Sequence, residues 1–129
     1  MKYAIRSLIL SLFLVTLFSC SKENAIDTTA PILSMITPLQ NDTLTSKEIA
    51  IQFKATDNES LATETLSILD ENNKKLYSET KSIYGTSYSY TNSIEIGGTN
   101  QTKRLTINIE CSDKSSNTTT NTTRFLVKI

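Results

Sequence analysis

The sequence predicts an all-β domain in which two sheets pack face to face as a sandwich. From Pro31 onward, apolar side chains recur at every second position, which is the period of a strand with one buried face. Residues 21–129 also hold 19 Thr and 12 Ile, and β-branched residues favour strands over helices. Polar turns divide this stretch into seven short runs, the number of strands in a small sandwich. A small Greek-key barrel is the alternative.

Three runs carry the clearest alternation. Residues 47–57, 103–111 and 123–129 each place apolar side chains on one face and polar side chains on the other. The predicted inward residues of these runs are Ile49, Ile51, Phe53, Ala55, Leu105, Ile107, Ile109, Cys111, Phe125, Val127 and Ile129. These runs predict half-buried strands.

Four weaker runs complete the set of seven. Residues 32–37 lie between two prolines, as suits an edge strand, because proline cannot donate to a ladder. Residues 65–70, with Leu66 and Ile68 inward, and residues 75–79 flank a polar turn, and residues 87–96 end at a Gly-Gly pair. In the last of these runs, Tyr88 and Tyr90 share a face with two isoleucines, which favours core packing for both rings.

The first twenty residues have the layout of a secretory signal. Lys2 and Arg6 precede an apolar run that ends near Phe18, which is shorter than the roughly 20 residues that span a bilayer. The end of this run, Leu17 to Cys20, resembles the signal of bacterial lipoproteins. The resemblance implies that residues 1–19 are cleaved, that Cys20 is lipidated, and that 20–30 form a short tether to an outer membrane. The resemblance does not specify whether the domain lies on the periplasmic face or on the cell-surface face of that membrane.

Composition argues against most hydrolase chemistry for the chain. There is no histidine, so the commonest general base and transition-metal ligand are missing. Without Lys2 and Arg6, the mature chain has 11 Lys and Arg against 13 Asp and Glu, which gives no basic surface for nucleic acid. Cys111 is the only cysteine left after lipidation, and its strand position predicts a core side chain rather than a reactive thiol.

Residues 27–129 resemble the bacterial Ig-like domains found in Bacteroidota surface and secreted proteins. The motifs that carry the resemblance are an opening DTTAP at 27–31, Pro38 at the first corner, KATDN at 54–58 and CSDKSSN at 111–117, where Ser116 replaces the usual glycine. The resemblance implies an Ig-like or fibronectin-type sandwich over residues 31–129, without the core Trp and disulfide of antibody domains.

Loop acids at one end of such a sandwich form a candidate calcium site. Asp27, Asp57, Asn58 and Asp113 lie in the three segments that would meet there, and Ca²⁺ takes roughly six to eight oxygen ligands. Ordinary turn chemistry is the alternative, because Asp and Asn cap loops by accepting hydrogen bonds from nearby backbone N–H groups. No other cofactor is expected.

Two further kinds of site follow from single residues. Tyr84 precedes Gly85 and is the tyrosine most expected to be exposed, as a ligand contact. Thr28 and Thr43 each follow an aspartate, a pattern that resembles the O-glycosylation acceptor of Bacteroidota.

The sequence therefore predicts a lipid-anchored envelope protein that binds or scaffolds and is not an enzyme. Its expected partners are the membrane and an envelope protein or glycan, with no nucleic acid. The alternative is a glycan-binding accessory lipoprotein of an outer-membrane import system.

Overall fold

The computed structural model describes residues 25–97 and 101–128. The predicted signal peptide, Cys20 and residues 21–24 lie outside this range, as does Ile129. Within it, no helix is long and apolar enough to cross a membrane.

The described residues form eight strands, which confirms the all-β prediction but corrects the count of seven. They are β1 (Ile32–Thr37), β2 (Thr43–Leu44), β3 (Glu48–Thr56), β4 (Leu61–Leu69), β5 (Lys75–Ser82), β6 (Ser87–Glu95), β7 (Lys103–Asp113) and β8 (Thr118–Val127). The additional strand is β2, whose two residues pair in parallel with Leu126 and Val127. A run of two residues is too short for alternation to reveal it.

The strands form two sheets that pack as a sandwich. The smaller sheet has the order β1-β3-β6, and the larger has the order β2-β8-β7-β4-β5. Every pairing except β2 with β8 is antiparallel. Apart from Ile129, which lies outside the described residues, the predicted inward residues lie between the sheets, with Ile49, Ile51, Leu66, Ile68 and Leu105 fully buried. Burial of these side chains is the main stabilising term of such a fold.

The two ends of the sandwich differ in the loops they carry. At one end, called the acidic end below, residues 25–31 lie beside the β3–β4 loop (57–60), the β5–β6 loop (83–86) and the β7–β8 turn (114–117). The opposite end carries the β1–β2 loop (38–42) and the β4–β5 turn (70–74). From Arg104 to Asp113, β7 extends about 30 Å between the two ends.

Candidate cation site at the acidic end

Three carboxylates from distant parts of the chain converge at the acidic end. Asp27, Asp57 and Asp113 each place one carboxylate oxygen within 4.8 Å of those of the other two. Asp27 precedes β1, Asp57 follows β3, and Asp113 ends β7. The fold therefore brings together three of the four residues that the sequence predicts as a calcium site.

Asp57 is fixed by the turn that it starts. Its Oδ1 accepts hydrogen bonds from the backbone N–H groups of Glu59 at 3.0 Å and Ser60 at 2.8 Å, and its own N–H donates to the Thr86 carbonyl. This is the turn chemistry expected of an aspartate at a strand end. It uses only one of the two carboxylate oxygens.

Asp113 is fixed by the tight turn between β7 and β8. Its Oδ1 accepts from the backbone N–H of Asn117 and its Oδ2 from the Asn117 side-chain amide, both at 2.7 Å. Ser116 adopts a left-handed conformation with φ of 68°, a region that glycine occupies more readily. The turn therefore keeps the left-handed backbone even though serine stands in the place of the glycine.

Asp27 joins the segment before β1 to both loops. Its Oδ1 accepts from the Thr29 backbone N–H at 2.9 Å and the Asn58 amide at 3.1 Å, and its carbonyl accepts from the Asn117 amide at 3.0 Å. The hydrogen bond from Thr29, with that from Asn58, holds the pKa of Asp27 below its usual value. Asp27 is therefore a carboxylate at neutral pH.

Two carboxylate oxygens of the cluster have no partner in the described structure. Oδ2 of Asp27 and Oδ2 of Asp57 are buried from solvent and accept no hydrogen bond there. Asp27 is 9% exposed and Asp113 is 3% exposed. Since buried charge is costly without a counter-charge, these oxygens are the atoms that could bind a cation, and an all-oxygen donor set is the kind that suits Ca²⁺.

The predicted and observed sets differ at two asparagines. Asn58 donates its amide N–H to Asp27, so its side chain positions the Asp27 carboxylate. Asn117, which the sequence reasoning missed, donates to both Asp27 and Asp113. Its position four residues after Asp113, at the close of a short polar turn, is the signal that could have identified it.

The other predicted sites lie apart from the carboxylates. Tyr84 is 74% exposed, in the β5–β6 loop at the same end of the sandwich. Thr28 and Thr43 are both exposed. Cys111 is fully buried, as expected of a core side chain, and burial raises the pKa of its thiol to about 12. Tyr90 is buried and Tyr88 is half-buried.

A second polar cluster closes the side of the sandwich between β5 and β6. The Tyr90 hydroxyl donates to Glu79, and Lys81 Nζ lies 3.0 Å from the same carboxylate and 4.6 Å from the centroid of the Tyr90 ring. Deeper in, Glu64 is fully buried, and neither of its carboxylate oxygens has a partner among the residues described. Burial, with the charge of Glu79, raises the pKa of Glu64 to about 7.

No protein-family model matches this chain, and no curated protein sequence matches it. Several solved structures do. Catalytically inactive OgpA from Akkermansia muciniphila, solved with an O-glycopeptide (glycodrosocin) substrate, has 12% identity and a TM-score of 0.53, over 84% of this chain and 32% of its own. The periplasmic chaperone SfaE has 10% identity and a TM-score of 0.50, over 77% and 56%.

CopC from Methylosinus trichosporium OB3b has 12% identity and a TM-score of 0.48, over 75% of this chain and 94% of its own. The chain thus spans about a third of OgpA and just over half of SfaE. At these identities, OgpA and SfaE show that the chain shares a β-sandwich fold with known proteins.

Proposed function

We propose that this protein is a lipid-anchored cell-envelope protein whose Ig-like sandwich acts by binding, without catalysis, and holds a Ca²⁺ ion at its acidic end. The observation that carries the proposal is the pair of buried, unpartnered oxygens on Asp27 and Asp57, next to Asp113. Each hydrogen bond in the cluster leaves these two atoms free for a cation. A periplasmic or outer-membrane location follows from the signal-like N-terminus and agrees with the periplasmic setting of SfaE.

The absence of catalysis rests on the chemistry of the described side chains. The thiol of Cys111 is buried and its raised pKa keeps it protonated, and a thiol rather than a thiolate is a poor nucleophile. Glu64 has a perturbed pKa but lies wholly inside the sandwich, out of reach of a substrate. Since neither side chain can act as a catalytic group, we infer that the domain functions by binding through its loops and sheet faces.

The ion would also fix the orientation of the domain relative to its lipid anchor. Asp27 lies in the segment that follows the predicted lipidated Cys20, and the other two acids belong to the sandwich. With Ca²⁺ bound, only residues 21–26 remain as linker, a reach of about 20 Å. The acidic end would then face the membrane, and the opposite end would face away from it.

Calcium binding is tested by thermal unfolding of the full chain in mild detergent. A ligand at about 100 times its Kd contributes about 2.7 kcal/mol to a folded state, so saturating Ca²⁺ should raise the Tm by about 10 °C or more. EDTA should reverse the shift, and Mg²⁺ should reproduce little of it. An unchanged Tm would show that turn chemistry alone accounts for the acids.

The matched variants are Asp57→Asn and Asp70→Asn. Both aspartates accept two backbone N–H groups through Oδ1 in a loop, but Asp70 lies at the opposite end of the sandwich, away from the other acids. Asparagine keeps the accepting oxygen and removes the charge. Asp57→Asn should abolish the calcium response, and Asp70→Asn should retain it.

Lipid attachment needs its own test. Mass spectrometry of the protein from its native host should find acyl chains on Cys20, and Cys20→Ser should move the protein out of the membrane fraction. An unmodified thiol at Cys20 would remove the anchor from the proposal and leave the calcium site intact.

A further inference from the structure

A groove with two arginines lies at the end of the sandwich opposite the acids. Arg104 and Arg124 line it together with Gln40, Asn41 and Leu126. It has a volume of about 310 Å³, within the range of small-ligand sites. Its lining contains no carboxylate.

The two arginines lie on the outer face of the larger sheet. Arg104 pairs with Leu126 and Arg124 pairs with Thr106 across β7 and β8. The arginines are therefore diagonal neighbours on one face, with Cβ atoms about 7–8 Å apart. In the parts of the chain that the structure describes, the one ion pair within 4.0 Å joins Lys81 and Glu79. Asp70 and Glu71 line an adjoining recess with both arginines, but neither carboxylate is within that distance of a guanidinium group.

The wall of the groove is held in place by the β1–β2 loop. The Gln40 side chain accepts a hydrogen bond from the Arg124 backbone N–H at 2.9 Å, and the Asn41 N–H donates to the Arg124 carbonyl at 2.8 Å. In the same loop, the Asp42 carboxylate accepts from the Leu39 N–H at 2.7 Å. These bonds fix the Gln40 side chain and the Asn41 backbone against the backbone of Arg124 before any ligand arrives, which lowers the cost of ordering the loop on binding.

The electrostatic field favours an anion at this end. Among the residues described, it holds seven Lys and Arg against five Asp and Glu, and the other half of the sandwich holds three against seven. The seven cations are Lys47, Lys74, Lys75, Lys103, Arg104, Arg124 and Lys128. Two of the five acids, Asp42 and Asp70, already accept backbone N–H groups. A charge separation of this kind steers an anionic ligand to the groove.

We propose that this groove binds an anionic saccharide, with Arg104 and Arg124 on its carboxylate or sulfate groups. Guanidinium groups bind such oxyanions through paired hydrogen bonds, and the side-chain amides of Gln40 and Asn41 supply donors and acceptors for sugar hydroxyls. A protein partner fits less well, because a stable interface needs about 800 Å² on each side and an apolar centre, whereas Leu126 is the only aliphatic side chain on the outer face of this groove. The inference is independent of the calcium site.

The test is the affinity of the full chain, in detergent with EDTA, for immobilised polygalacturonate and heparin, with dextran as the neutral match. Polygalacturonate carries carboxylates only, and heparin carries sulfates as well, so the two columns separate the anion types. We expect retention on at least one of them and none on dextran. Arg104→Ala with Arg124→Ala should lower the affinity tenfold or more and leave the Tm unchanged within about 2 °C, because both side chains are exposed.

The matched control removes two other cations from the same end, Lys47→Ala with Lys75→Ala. It makes the same change in net charge and should lower the affinity no more than about twofold. An equal loss of affinity in both double variants would show that binding depends only on overall positive charge, and it would overturn the proposed site in the groove. Failure of the unaltered protein to bind either acidic glycan would overturn it as well.

Discussion

Two groups of carboxylates in this sandwich have opposite surroundings. On the side between β5 and β6, Glu79 accepts from the Tyr90 hydroxyl and pairs with Lys81. At the acidic end, Asp27 and Asp57 each keep a buried oxygen without a partner in the described structure. The chain thus completes the first cluster with its own side chains and leaves the second open to a cation.

Glu64 is a third case and lies between these two. It is as buried as any core residue and has no hydrogen-bond partner among the described residues, and it is not part of a group of three acids whose oxygens converge. Burial raises its pKa to about 7, so Glu64 takes up a proton below that pH instead. Pairing and proton uptake are therefore two ways in which this domain accommodates buried carboxylates, and the cation proposed at the acidic end would be a third.

The largest expected effect is at the acidic end. Asp113→Ala removes the acceptor of two hydrogen bonds from Asn117 and one charge from the cation site. We expect it to lower the free energy of unfolding by about 2–4 kcal/mol in Ca²⁺, measured by urea unfolding. Asp113→Asn, which keeps an accepting oxygen, should lose less. A loss below about 1 kcal/mol in the alanine variant would mean that the cluster is not held as the structure indicates.

The next effect is a pH dependence that comes from Glu64. Its pKa is near 4.5 in the unfolded chain and about 7 in the fold, so between these values the folded state holds a proton that the unfolded state has released. Stability should therefore fall as pH rises through this window, by about 2–3 kcal/mol. The charged and titratable groups that surround Glu64 are Glu79, Lys81, Tyr88 and Cys111.

Glu64→Gln is the variant that tests this window. Glutamine has nearly the same shape and cannot ionise, so the stability of the variant should vary less between pH 5 and pH 8. Urea unfolding at a series of pH values measures the difference. If the stability of the variant and that of the unaltered protein vary in parallel with pH, the proton responsible for the pH dependence is on another group.

Much of this fold could be predicted from alternation, but the state of its acids could not. The β-period placed Leu66, Ile68 and Ile107 inside correctly, because burial of one sheet face imposes that period on the sequence. The positions of Asp27, Asp57 and Asp113 at the ends of predicted strands also predicted that these three residues lie close together. What the sequence does not show is register, and register decides the environment of Glu64.

Glu64 illustrates the limit. The run 65–70 was predicted as a strand with Leu66 and Ile68 inward, and period two carries that face back to Glu64, but the strand begins earlier, at Leu61. A bulge between Leu61 and Thr63 changes the register at that end. A charged residue at the start of a run looks like a strand boundary in the sequence, whereas pairing with Cys111 buries it here.

A smaller effect is expected for Tyr90→Phe in the completed cluster. The variant keeps the ring, which stacks on Phe53 with centroids 4.9 Å apart, and loses the hydroxyl that donates to Glu79. Since Glu79 retains Lys81, we expect a loss of about 1 kcal/mol and no change in the calcium response. A loss of the calcium response would show that the two regions are coupled.

The smallest effect is expected for Lys81→Met. The Lys81 side chain is 43% exposed, so its pair with Glu79 is screened by water and should contribute no more than about 0.5 kcal/mol. Methionine keeps an apolar stem near the Tyr90 ring. The variant therefore measures the effect of removing the charge, with the packing of the side chain largely retained. Lys81 also favours the ionised form of Glu64, and its removal should move the pH-dependent loss of stability to higher pH. An unchanged pH profile in this variant would show that the charge of Lys81 has no influence on the proton of Glu64.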